Sequence, residues 1–301
     1  MKSAKPRWLW AAVWAIALGL GVVLARPSGA APADLVPPTH DFIYALTVSN
    51  HLLHFRSSAP GTILSDVALS GMQPSENMLA IDFRPRTAQL YGLGSSSRLY
   101  VINPSSGAAT PVGSGPFMPA LTGSEFGFDF NPVPDRIRVV GDNNQNLRLN
   151  PVTGAVAAVD TPLSFAPTDV YSMIVPLVGG SAYSNNVPTA TLTTLYGYEF
   201  HKNALVTQGG VNGSPSANSG QLFTVGSSGV TACNTLIGLD IAASGQAYVS
   251  LNTGACTVTD LYTVNLGVGK VVLIGNIGGG APIRDIAAEP PYGVYLPVIQ
   301  R

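Results

Sequence analysis

Four aspartates recur in matching apolar surroundings: Asp82 in LAIDF, Asp129 in FGFDF, Asp240 in IGLDI and Asp285 in PIRDI. In a fourth, looser copy Asn185 takes the place of the acid. Period-two alternation puts the large apolar neighbours on one strand face and the acid on the other, beside the small Ala80, Gly127 and Gly238. If such strands line a central channel, their carboxylates converge, and a hard cation that takes six to eight oxygen ligands, Ca²⁺ above all, suits the ring. Calcium held there as an electrophile makes a metal-assisted hydrolase or lyase. The competing account makes each Asp a building part that accepts backbone N–H bonds from an adjacent turn and fixes the connection between repeats.

A second candidate lies where the repeat is broken. Tyr44, Tyr91, Tyr196 and Tyr248 share one position, and Tyr100 and Tyr262 another, but one copy has Arg138 and Arg148 there. These arginines are expected on adjoining strands and one face, near Asp129, Asp135 and Arg136. A paired guanidinium patch binds a carboxylate or a sulfated sugar through bidentate hydrogen bonds. An Arg–Asp network within the repeat is the plainer alternative.

Other polar clusters fall short of chemistry. Asp142, Asn144 and Asn146 match the start of an EF-hand loop, but Leu147 and Thr153 stand where Gly and a bidentate Glu are required. A polar hairpin turn is expected there. His51 and His54 are spaced for opposite faces of a strand, and His201 is remote. No nucleophile elbow, His-Glu-x-x-His or phosphate loop is present. Cys233 and Cys256 are expected to pair, since no histidine lies near them to complete a zinc site.

The elements that must position these residues are strands. Gly, Pro, Ser and Thr interrupt almost every window past residue 31, and short β-branched and aromatic runs replace helical periods. One four-strand sentence recurs at 79–115, 126–160 and 236–278, with a looser copy from 181. The ends supply a fifth in two pieces: 43–71 lacks an Asp strand, and 283–290 is an Asp strand with nothing after it. Joining them closes a ring and leaves no open sheet edge. The chain is therefore expected to be all-β, a propeller of five four-stranded blades closed by the C-terminal strand. Six blades is the alternative, because 161–235 is long enough to hold an extra sheet.

Before the propeller, assigned to 42–290, Lys2, Lys5 and Arg7 precede an apolar run from Trp8 to Ala25 and the small residues Ser28–Ala31. Residues 1–31 read as an export signal, or as an N-terminal membrane anchor if uncleaved, followed by a linker over 32–41. Residues 291–301 form a C-terminal tail. From Pro32 onward eleven Lys or Arg stand against sixteen Asp or Glu, a balance of −5 that argues against a nucleic-acid partner.

The motifs IDFRPRTAQLYGLGSSSRLYVINPSSGAATPVG, FGFDFNPVPDRIRVVGDNNQNLRLNPVTGAV and GGGAPIRDIA resemble an uncharacterised group of exported bacterial proteins, domain of unknown function 4394. The likeness covers roughly residues 42–288 and implies no activity, substrate or catalytic residue. Regular repeats, few charges and no catalytic set point to an exported, non-enzymatic propeller of the cell envelope. It is expected to bind a glycan, a small molecule or an envelope protein, with membrane contact only through an uncleaved leader.

Overall fold

A computed structural model describes residues 40–280 and 282–291. The leader expected over 1–31 lies outside the described residues, as do linker residues 32–39 and tail residues 292–301. Among the described residues no helix is long and apolar enough to cross a membrane.

Five sheets, antiparallel but for one edge strand, account for the fold. Blade 1 combines β1 (Phe42–Thr47), β2 (His51–Arg56) and β3 (Ile63–Ala68) with the last strand, β21 (Ile283–Ala288). Blade 2 is β4 (Met78–Arg84), β5 (Gln89–Gly94), β6 (Arg98–Ile102) and β7 (Ala109–Val112). Blade 3 is β8 (Phe126–Asn131), β9 (Arg136–Gly141), β10 (Asn146–Leu149) and β11 (Val156–Val159). Blade 4 holds β13 (Val178–Tyr183), β14 (Leu195–Glu199), β15 (Ala204–Gln208) and β16 (Gln221–Ser227), and a short fifth strand, β12 (Ser164–Phe165), runs parallel to β16. Blade 5 is β17 (Ala232–Ile241), β18 (Ala247–Thr253), β19 (Thr259–Val264) and β20 (Val271–Asn276). The interval 161–235 therefore yields one blade with an added edge strand, not the two blades of the six-blade alternative.

The innermost strands β21, β4, β8, β13 and β17 contact one another in that order, and β17 meets β21 to complete the ring. Closure depends on β21 pairing with β1, where Tyr44 stands opposite Ala287 and Leu46 opposite Asp285. Both chain ends thus contribute to one sheet, in which β1 is paired along both edges.

Local chemistry explains why the repeat reads so clearly. The turns NPSSG, NPVTG and NLGVG between third and fourth strands are built alike. Asn103, Asn150 and Asn265 each accept an N–H on the side chain from the residue two positions on, at 2.9–3.0 Å. The N–H of the closing Gly107, Gly154 or Gly269 returns to the same asparagine's carbonyl, at 2.8–2.9 Å. Those glycines sit at φ of 70–76°, where any Cβ is strained.

Alternation on the inner strands sends Ile81 and Phe83 towards blade 1, while Ala80 packs with the blade 3 aromatics Phe126, Phe128 and Phe130. The apolar cluster between blades 3 and 4 is the smallest described: Val140, Leu163, Phe165, Val178, Val206 and Leu222. Polar groups and a cleft take up the rest of that junction. Cys233 and Cys256 are disulfide-bonded, joining β17 to the β18–β19 turn.

Candidate functional site

The inner-strand aspartates are almost wholly buried, at 1–5% exposure. Asp82 accepts the N–H of Phe83 and that of Phe130, both at 2.7 Å. Asp240 accepts from Ile241 at 2.6 Å and Ala288 at 2.5 Å, and Asp285 accepts from Ile286 and Ile81, both at 2.9 Å. Asp129 accepts from Tyr183 at 3.0 Å. Each acid therefore bonds the inner strand of the next blade, clamping blade 2 to 3, 3 to 4, 5 to 1 and 1 to 2. The remaining junction has no acid. There Gly180 lies so close to blade 5 that an added Cβ would come within 2.9 Å of the Ile237 carbonyl.

Register corrects the expected ring in two places. Asp82 stands opposite Tyr91, Asp129 opposite Arg138 and Asp240 opposite Tyr248, all at the same level. The equivalent partner in blade 4 is Tyr196, and it faces Ala182. Asn185 is not on the strand at all; it sits in the following turn at φ 56° and donates to the Leu192 carbonyl. In blade 1 the level is filled by Ala287, opposite Tyr44, so Asp285 lies two residues earlier, level with Ala80 and Gly127. The ring is a triad with Asp285 one pleat away.

One oxygen from each of Asp82, Asp129 and Asp240 lies within 4.8 Å of the others. Burial first, and then the charges of the neighbouring aspartates, hold Asp82 and Asp129 well above the usual carboxylate range. Burial also raises Asp285, against the pull of two N–H donors. Asp240 is pushed up to about 6, chiefly by burial. Three carboxyls this close and this dry can share protons or gather round a cation. Calcium needs at least six oxygens, and both oxygens of Asp82 and of Asp240 already accept backbone donors.

The arginine patch shares a carboxylate outside the expected set. Arg138 and Arg148 are direct cross-strand partners on β9 and β10. Arg138 is buried, and donates to Asn146 at 2.7 Å, Asp160 at 2.5 Å, Asn218 at 2.7 Å and Tyr183 at 3.4 Å. Arg148 grips both oxygens of the same Asp160, at 2.7 and 2.9 Å. Burial opposes ionisation of both Arg138 and Asp160. The surrounding groups outweigh it, so Arg138 is held above its ordinary range and Asp160 below its own. Asp135 does not join this network: it pairs with Arg84 and Arg86 of blade 2, and Arg84 holds its carboxyl below the usual range.

Arg136, Arg138 and Arg148 line a cleft of about 360 Å³ between blades 3 and 4. Its walls are the β8–β9 turn, the end of β13 with the loop that follows it, and the 209–220 loop after β15. Asp160, Asn218 and Gln208 were not singled out from the sequence. The only signal was position: Asp160 follows a small-residue edge strand, and the other two bound a loop that breaks the repeat. The DNNQN stretch forms the turn between β9 and β10. Asp142 there accepts the N–H groups of Ser124 and Glu125 and pins the approach to β8.

Residues 51–287 match the family described as Domain of unknown function (DUF4394). The chain belongs to this family. No curated protein matches the DUF4394 chain. Among solved structures it is similar to a nidogen/laminin complex, at 10% identity over 83% of this chain and 98% of that one, TM-score 0.49. It is also similar to a Bacteroides thetaiotaomicron protein of unknown function, at 14% identity over 83% and 65% of the two chains, TM-score 0.46. A third is the β-propeller domain of Myceliophteria thermophila Cps50 (Swd1), at 10% identity over 75% and 66%, TM-score 0.39. None of these likenesses bears on function; the propeller assignment of this DUF4394 chain stands on its own five sheets.

Proposed function

We propose that this chain is an exported, non-enzymatic propeller of the cell envelope that binds a ligand in the cleft between blades 3 and 4. The observation that carries the reading is a cleft of about 360 Å³, lined by three guanidinium groups, at the junction whose apolar cluster is the smallest described. Small-molecule sites run to roughly 300–1,000 Å³, and propeller sites are assembled from loops of adjoining blades. Export is supported by the basic and apolar leader pattern over 1–31 and by the Cys233–Cys256 disulfide, a bond that oxidising compartments permit.

The test is calorimetric titration of the full chain against glycans, small molecules and envelope extracts, beside a Leu192→Trp variant that fills the rim of the cleft. Saturable binding without turnover, lost in the variant, is expected. Binding that survives the plug, or turnover of the bound compound, overturns the reading.

A second reading, a calcium-assisted hydrolase or lyase at the channel, draws on the approach of Asp82, Asp129 and Asp240 within 4.8 Å. Their burial counts against it, because a substrate has to reach the metal. Elemental analysis of the purified chain decides it: a stoichiometric divalent ion lost in Asp129→Asn is required.

A further inference from the structure

We propose that the ligand of this cleft is a sugar bearing a carboxylate, contacted by Arg136 and Arg148, with Arg138 and Asp160 as positioning residues. The proposal rests on the cleft being the binding site.

The three guanidinium groups are not equivalent. All three nitrogens of Arg138 are engaged by Tyr183, Asn146, Asp160 and Asn218, and the side chain is 2% exposed, so it has little to offer a ligand. Arg148 is 32% exposed; its Nε and Nη2 hold Asp160, and its Nη1 makes no hydrogen bond among the described residues. Arg136 gives Nη1 to the carbonyls of Asp135 and Pro134, leaving Nε and Nη2 without a hydrogen bond among the described residues. Arg138 and Arg148 share one carboxylate, Asp160, and Arg136 adds a third guanidinium to the lining, so the cleft carries an excess of positive charge. Asp160, fixed by buried Arg138, also limits where the Arg148 guanidinium can lie.

An oxyanion answers that excess, and a planar guanidinium edge matches the two oxygens of a carboxylate. A polyanion does not fit, because the chain from Pro32 onward carries a balance of −5 and its long-range field repels one. The remaining lining pairs apolar Val133 and Leu192 with the neutral polar groups of Thr191, Asn212 and Ser216. That mixture suits the C–H face and hydroxyls of a pyranose ring, and about 360 Å³ holds one or two rings.

The experiment titrates the purified full chain with uronate and sialate disaccharides, their methyl esters and a sulfated disaccharide. The acids are expected to bind, and esterification, Arg148→Ala or Arg136→Ala to weaken binding about ten- to a hundredfold, as loss of a charge-assisted hydrogen bond does. Asp160→Asn is expected to lower the ratio of acid to ester affinity; a purely structural Asp160 would lower both affinities alike and leave the ratio unchanged. If acid and ester bind equally and both are lost in Leu192→Trp, the cleft survives as the site and the carboxylate is wrong. Acid binding untouched by Leu192→Trp overturns the cleft itself. Preference for the sulfated sugar, or no saturable binding of any acid at millimolar concentration, also overturns the proposal.

Discussion

Replacing Asp240 by asparagine isolates the cost of holding carboxyls at the propeller axis. The Asp240 carboxyl is pushed up from 3.8 to about 6, by burial against the N–H donors of Ala288 and Ile241, with the charge of Asp41 adding to the rise. A raised acid binds its proton more tightly in the folded chain. Its contribution to stability is therefore complete below the unfolded value and is lost as pH rises through the folded one. A shift of about two units corresponds to about 3 kcal/mol lost between about pH 4 and pH 7. Asparagine does not titrate, but it turns an NH₂ towards one of the two backbone donors and leaves that N–H unsatisfied, at about 1–3 kcal/mol. The variant should be the less stable protein near pH 4.5, and should close or reverse that gap by about pH 8. The assay is urea unfolding of both proteins across that range in chelator. In melting temperature the gap should change by roughly 6–12 °C, at about 2–4 °C per kcal/mol for a chain of this size. Asp135 and Asp160, whose lowered values give the opposite slope, are present in both proteins and cancel in the difference. A gap independent of pH, or one that widens as pH rises, would refute the reasoning. Widening that appears only when calcium is restored would instead mark a cation, because metal-bound carboxylates are already ionised.

Three further outcomes are expected. Deleting residues 283–301 removes β21, opens the ring and abolishes the cooperative melt; a truncated chain melting at the parent temperature would show that closure runs through other strands. Reducing the Cys233–Cys256 bond, separated by 23 residues, should cost about 3 kcal/mol, read as a lower melting temperature in dithiothreitol that the double serine variant reproduces and that is insensitive to the reductant there. Gly127→Val should destabilise the chain by about 1–3 kcal/mol or more, because an added Cβ lies 2.8 Å from the Ser181 backbone nitrogen and blades 3 and 4 must part; unchanged urea stability would contradict that packing.

How much of this was legible in the sequence can be judged from particular residues. The Asn–Gly turns at 103–107, 150–154 and 265–269 are local chemistry, each closed by an asparagine and a glycine a few positions apart, so the repeat they punctuate could be read directly. The split fifth copy was legible for the same reason: an Asp strand without a successor implies a partner strand at the other end. Alternation likewise separated the acid from the apolar face of each inner strand.

Register and pairing across blades were decided by tertiary structure. Asp285 matches the other acids in local sequence but lies two residues away in the ring, because its level is set by the pairing of β21 with β1 and not by its neighbours in the chain. Ala182, not Asn185, stands at the blade 4 level for the same reason. The Arg138 and Arg148 pairing followed from strand order, yet their shared carboxylate, Asp160, and the loop that brings Asn218 to Arg138 did not. Strand and turn formation are governed by interactions within a few residues, which any single repeat contains. The clamp at the axis and the closing of the cleft by blade 4 depend on contacts between residues 45 to 204 positions apart, and only the packing of blade against blade brings those side chains together.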